Sequence, residues 1–206
     1  LYRDDLQAGL IVPDAAQEHA VAELELRFRQ LEKLWSKPDS LSSRIKTVLG
    51  MRQQRAGKGL YFWGGVGRGK TYLMDVFFHA LPGERKTRMH FHRFMLMVHR
   101  KLHEQQGSSN PLMHVARKIA QDVDVICFDE FFISDIGDAM ILANLLETLF
   151  DEGVMLIATS NIVPDRLYEN GLQRQKFLPA IALLSQHTKV INIDGGIDYR
   201  LQSLDK

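Results

Sequence analysis

Three features of this 206-residue sequence predict a three-layer α/β fold around a parallel five-stranded sheet. The first is a glycine-rich loop, Gly64-Gly65-Val66-Gly67-Arg68-Gly69-Lys70-Thr71, which matches the phosphate-binding pattern G-x-x-x-x-G-K-[ST]. It stands between an apolar run, Leu60 to Trp63, and a helical period that starts at Tyr72. The second is the alternation of short apolar runs with amphipathic stretches downstream, the pattern of parallel strands joined by right-handed helical crossovers. The third is the run Val125 to Phe128 ending in two carboxylates, Asp129 and Glu130.

The elements follow in order. From Ala15 to Trp35, Val21, Leu24, Phe28, Leu31 and Trp35 fall on one helical face, with charged residues on the other. Such a stripe packs on its own domain or docks a partner helix. Pro38 breaks the pattern, a short helix is expected from Leu41 to about Arg55, and Gly57-Lys58-Gly59 leads into the first strand. The expected organisation is an N-terminal helical segment, residues 1–58, packed on a core of residues 59–206. A second strand is expected over Arg88–Phe94, with helices over Met95–Glu104 and Pro111–Ala120. The third strand spans Val123–Phe128, a helix spans Asp138–Phe150, and the fourth strand spans Val154–Ser160. A helix over Leu172–Ser185 and a strand over Lys189–Asp194 complete the set.

Lys and Arg number 26 against 25 Asp and Glu, so overall charge does not favour nucleic acid as a partner. The one cysteine, Cys127, sits in an apolar run and implies no disulfide framework, which fits a reducing, cytoplasmic setting. No apolar stretch nears the roughly 18 residues of a membrane span, and no signal peptide is visible. The chain begins at Leu1 rather than Met, as a trimmed chain would.

The glycine loop predicts a nucleoside triphosphate site. Gly64, Gly65, Val66, Gly67, Arg68 and Gly69 would turn backbone N–H groups toward phosphate oxygens, and the helix N-terminus at Thr71 and Tyr72 favours an anion. Lys70 would meet the β- and γ-phosphates, and the Thr71 hydroxyl would ligate Mg²⁺. Asp129 would hold the same Mg²⁺ through a water. Glu130 would polarise the water that attacks the γ-phosphate; alone, the pair would read as solvated acids at a strand end. A strand–helix segment, residues 88–120, lies between the glycine loop and the acidic strand, which predicts the sheet order 5-1-4-3-2. Strand four would then lie beside both, placing Asn161 at its end within reach of the γ-phosphate; the plain alternative is a turn cap before Pro164. Arg174 is either a finger that reaches a neighbouring subunit's site or a surface cation at a helix start. Arg166 and Arg200 are weaker candidates for that finger.

GGVGRGKT, HFHRFM at 90–95, CFDEFFISDI at 127–136, ATSN at 158–161 and NGLQRQKFLPAI at 170–181 resemble the AFG-one-like ATPases, an AAA+-related family. The resemblance covers nearly the whole chain and lies nearer the bacterial cell-division branch than the mitochondrial inner-membrane branch. It implies an AAA+-like ATPase using ATP and Mg²⁺ that contacts FtsZ or another division-ring protein. It also implies a homo-oligomer with a site shared between subunits, and a cytoplasmic protein able to sit peripherally on the inner membrane. A helical lid normally follows strand five in such modules; the chain stops at Lys206, so that lid is expected to be missing. A nucleic-acid-linked ATPase of helicase-loader type is the alternative function. Around Gln17 and the Leu41 helix, contact with adenine is expected.

His90, His92, His99 and His103 look like a metal cluster but lack a completing ligand, and His90 and His92 are expected on one face of strand two. Phe131 and Phe132 read as core packing, with a partner surface as the alternative, and the run Met89 to Met97 reads as core rather than an interaction box.

Overall fold

The computed structural model describes residues 15–36, 57–67, 69–105 and 107–194. The expected Leu41 helix, Arg68 and Arg200 lie outside the described residues. Helix α1 (Ala15–Trp35) precedes β1 (Gly59–Trp63), α2 (Lys70–Ala80), β2 (Lys86–His90), α3 (Phe91–Glu104) and α4 (Pro111–Asp122). There follow β3 (Val125–Asp129), α5 (Ile136–Asp151), β4 (Met155–Ser160), two 3-10 turns (Pro164–Arg166 and Arg174–Lys176), α6 (Leu178–His187) and β5 (Thr188–Asn192).

The five strands are parallel and ordered β2-β3-β4-β1-β5, the expected 5-1-4-3-2 read from the other edge. Strand alternation sorts the core into two layers. Leu60, Phe62, Val125, Cys127, Met155, Ile157 and Ile191 pack with Leu24 and Leu31 of α1 and Leu73, Met74 and Phe77 of α2. Tyr61, Ile126, Phe128, Leu156 and Ala158 face the opposite way, onto α3, α4, α5 and α6. Fully burying one such Leu, Ile or Phe contributes about 1.5–3 kcal/mol, so two continuous layers dominate the stability. The α1 stripe therefore docks on its own sheet, with Ala20 and Leu31 fully buried.

A polar contact pins one end of α1, and close packing fixes the other. Trp35 Nε1 donates to Asp124 Oδ2 at 2.9 Å, and Arg85 Nε donates to the same oxygen at 2.8 Å. At the other end Gln17 is 2% exposed, and its Nε2 lies 2.6 Å from where a Cβ on Gly69 would stand. The helix thus spans the sheet face from Asp124 to the glycine loop.

Two boundaries differ from the sequence expectation by more than two residues. The second strand ends at His90, and Phe91 opens a helix. Phe91, Phe94, Met95 and Val98 recur at i, i+3, i+4 and i+7, and all four are at most 1% exposed. His92 therefore belongs to α3 and shares no strand face with His90. The helix expected from Leu172 starts only at Leu178. Gln173 adopts a left-handed backbone at φ 57°, which ends regular structure there, and Pro179 in the first turn favours a new start. Arg174 consequently opens a 3-10 turn rather than the helix.

Gly59 marks a close approach of β1 to β4: a Cβ there would stand 1.9 Å from Leu156 O. Gly59→Ala must push the two strands apart, because the obstacle is backbone. The expected cost is about 3 kcal/mol or more. Thermal unfolding should show a fall in Tm of roughly 6–12 °C; an unchanged Tm would remove the constraint.

Candidate nucleotide-hydrolysis site

The site forms at the carboxyl edge of the sheet, where β1 leaves between β4 and β5. Register aligns the strand ends: Trp63 faces Ser160 on one side and Asn192 on the other, and His90 faces Asp129. In an open parallel sheet such an edge is where ligands bind.

The loop after β1 is built for close approach. Gly67 and Gly69 take φ 81° and 79°, where a side chain would be strained. Gly69 is the N-cap of α2 and uses no side-chain cap, so the first-turn N–H groups point into the open site. Lys70 Nζ donates to Gly64 O at 2.7 Å and to Gly65 O at 2.6 Å, which folds the ammonium over the loop. Gly65 N donates to Asp194 Oδ1 at 2.9 Å, so a carboxylate just past β5 already satisfies one loop amide.

A pocket of about 600 Å³ opens over this loop. Lys70, Thr71 and Tyr72 line it from one side; Asp129 and Glu130 from β3, and Thr159, Ser160 and Asn161 from β4, line it from the other. Its volume falls within the range of small-molecule sites. Arg88 and His90 from β2 close the wall.

Local structure explains how the two carboxylates diverge. Asp129 ends β3 and is 14% exposed, while the Glu130 side chain is 80% exposed. Glu130 has a left-handed backbone, φ 53°, which costs a non-glycine residue of order 1–3 kcal/mol. Neighbours hold that turn. Glu130 N donates to Thr159 Oγ1 at 3.3 Å and Phe131 N to Thr159 O at 2.7 Å. Ser160 Oγ donates to Phe131 O at 2.8 Å. The ring of Phe131 is fully buried, 4.3 Å from that of Phe91, and Phe128 packs 5.5 Å from Phe91 and 4.7 Å from Phe94. Phe128 and Phe131 flank the acidic pair in sequence, so this aromatic cluster anchors both sides of the turn that presents Glu130.

Asp129 accepts from Arg88 Nε at 2.7 Å and from Nη2 at 3.3 Å. The same guanidinium pairs with Asp75 on α2 through Nη1. Burial alone would lower the Arg88 pKa, but the bonds from Asp129 and Asp75 raise it, so the cation is permanent. His90 Nδ1 stands 3.7 Å from Glu130 Oε2, too long for a hydrogen bond.

The oxygen set fits a hard divalent cation. The Asp129 carboxylate and the Thr71 hydroxyl both face the pocket beside the loop that can cradle phosphates. Asn161 is exposed and lines the pocket at the end of β4, where it can face a γ-phosphate. Arg174 lies apart from these groups: its Nη2 donates to Asp165 O at 2.6 Å, and its buried Nε has no hydrogen-bond partner among the described residues.

Other expectations divide. Phe131 is core, but Phe132 is 54% exposed; chain alternation after the strand turns it outward, which corrects its reading as core. Met95 is buried, and Met89 and Met97 pack against the same core. His99 Nε2 pairs with Asp138 Oδ1 at 2.7 Å, and Asp135 caps α5 by accepting from Gly137 N and Asp138 N. Burial pushes the Cys127 thiol well above its ordinary range. Among the described residues no helix is long and apolar enough to cross a membrane. Arg88, Asp75, Asp194 and Thr159 were not singled out from sequence, because each acts through a partner distant in the chain.

The sheet order, the glycine loop and the acidic strand end define a P-loop NTPase fold of the AAA+ kind. The chain belongs to the AFG1-like ATPase family, whose description matches residues 1–206. It is 50% identical over 211 residues to Cell division protein ZapE of Escherichia coli K12, covering 98% of this chain and 56% of that protein. It is 44% identical over 158 residues to Lactation elevated protein 1 homolog B of Danio rerio, covering 71% of this chain and 31% of that protein. The chain thus spans little more than half the length of the ZapE relative, and less of the Danio protein. Among solved structures, DnaI superposes with a TM-score of 0.58 at 18% identity, over 90% of this chain and 88% of that one. That likeness concerns the fold alone.

Proposed function

We propose that this chain is the ATP-hydrolysing core of an AAA+ protein that remodels a protein partner. The observation that carries the reading is the gathering of Lys70, Thr71, Asp129, Glu130 and Asn161 around one pocket. In it the loop amides and Lys70 would hold the β- and γ-phosphates, and Thr71 and Asp129 would hold Mg²⁺. Bound there, Mg²⁺ would supply charge neutralisation between the phosphates. Glu130 orients and deprotonates the attacking water, and the strained turn under it keeps the carboxylate facing the pocket rather than the sheet. Asn161 fixes the γ-phosphate against that water. Arg174, held by Asp165 O away from its own site, serves as a finger for a neighbouring subunit in a homo-oligomer.

Family membership supports a choice of partner. The ZapE relative is a cell-division protein, and the reading extends to this chain as action on the division ring, with FtsZ as the protein contacted. It places the protein in the cytoplasm, peripheral to the inner membrane at the division site. The helicase-loader alternative rests on likeness of fold, and the near-balance of charge gives it no support.

Phosphate release from ATP, measured with Mg²⁺ and with a chelator in its place, tests the reading. Turnover should require Mg²⁺ and rise with protein concentration as subunits assemble. Hydrolysis indifferent to the metal would contradict it. Tight, salt-sensitive retention of DNA in a gel shift would favour the alternative.

A further inference from the structure

One guanidinium joins both elements that would hold the cation. Asp75 is four residues after Thr71 on α2, hence one helical turn below it on the same face. Arg88, on β2, contacts Asp75 on one side and grips both Asp129 oxygens on the other. It is 15% exposed and lines the pocket.

We propose that Arg88 is a positioning residue for the divalent cation, bracing Asp129 and, through Asp75, the turn that carries Thr71, so that the two cation ligands keep a fixed separation. The proposal rests on the ATPase reading above. Three features support it beyond proximity. The Arg88 fork occupies one side of the Asp129 carboxylate, and each carboxylate oxygen retains a second lone pair for a cation or its water. Two carboxylates against one guanidinium leave the cluster with a net charge of −1, so it still attracts a cation. Without Arg88, Asp129 would be a largely buried charge with no fixed orientation, since among the described residues its side-chain hydrogen bonds are with Arg88. Partners that orient a metal's ligands typically change affinity about 10–100-fold when removed. Lysine keeps the charge but lacks the fork that meets two carboxylates at once.

The test measures binding of a fluorescent, slowly hydrolysed ATP analogue to the full chain as Mg²⁺ is titrated. Arg88→Met should raise the half-saturating Mg²⁺ concentration about 10–100-fold. Arg88→Lys and Asp75→Asn, which retain a cation on β2 and change an accessible side chain respectively, should fold and give smaller rises. Adding Asp75→Asn to Arg88→Met should have little further effect, because the two act through one contact. An unchanged or lowered Mg²⁺ requirement in Arg88→Lys and Asp75→Asn would overturn the proposal; a lowered one would mean that Arg88 competes with the cation. If the unaltered chain binds the analogue with no response to Mg²⁺, the ATPase reading fails and this proposal with it.

Discussion

Lys70→Ala is expected to reduce phosphate release to background and to weaken ATP binding about 10–150-fold, the loss of one charge-assisted bond of about 1.5–3 kcal/mol. The lysine now caps Gly64 O and Gly65 O. Its ammonium can leave those carbonyls for phosphate oxygens without moving the backbone, because both lie in the same loop. Alanine removes the only side-chain cation the loop contributes among the described residues. The N–H groups of α2 persist, so residual binding should survive in equilibrium titration. The transition state, with charge spread over the γ-phosphoryl oxygens, loses more than the ground state, which is why hydrolysis falls further than affinity. Undiminished turnover in Lys70→Ala would place the chemistry elsewhere.

The second large effect is expected of Glu130→Gln. The amide keeps the shape of the side chain and cannot accept a proton. General-base catalysis supplies about 10²–10⁴-fold in rate, and steady-state phosphate release should drop by that factor. ATP should still bind, because the Glu130 side chain is 80% exposed and the substitution leaves the loop amides and Lys70 in place. The variant should therefore accumulate bound ATP, readable by quenching and chromatography. Normal hydrolysis in Glu130→Gln would mean another group activates the water.

Much of this site was legible because its parts are local in sequence. The glycine loop carries its own spacing, and the apolar strand before Asp129 announces where the acids emerge. The sheet order followed from the strand–helix segment inserted between them. Boundaries failed where one residue type serves two elements. Phe91 and Phe94 suit a strand by propensity, yet their spacing with Met95 and Val98 buries one helical face, and burial decided. The two motifs HFHRFM and CFDEFF looked like separate signatures; in space Phe91, Phe94, Phe128 and Phe131 form one cluster beneath Glu130. The brace at Arg88 was not legible. Its partners lie 13 and 41 residues away in sequence, and only the parallel register of β2 on β3, with the crossing of α2, brings them together. Asp194 was invisible for the same reason: it reaches Gly65 from 129 residues downstream. The Arg174 position turned on a single left-handed residue, Gln173, which no periodicity reports.

The most direct test of the central claim is a structure of the chain with Mg²⁺ and a non-hydrolysable ATP analogue. Lys70 should have left Gly64 O and Gly65 O for the β- and γ-phosphates, with Thr71 and Asp129 on the metal and Glu130 facing the γ-phosphate across a water. A triphosphate bound away from the Gly64–Thr71 loop, or a Glu130 carboxylate turned from the γ-phosphate with the metal in place, would contradict the account.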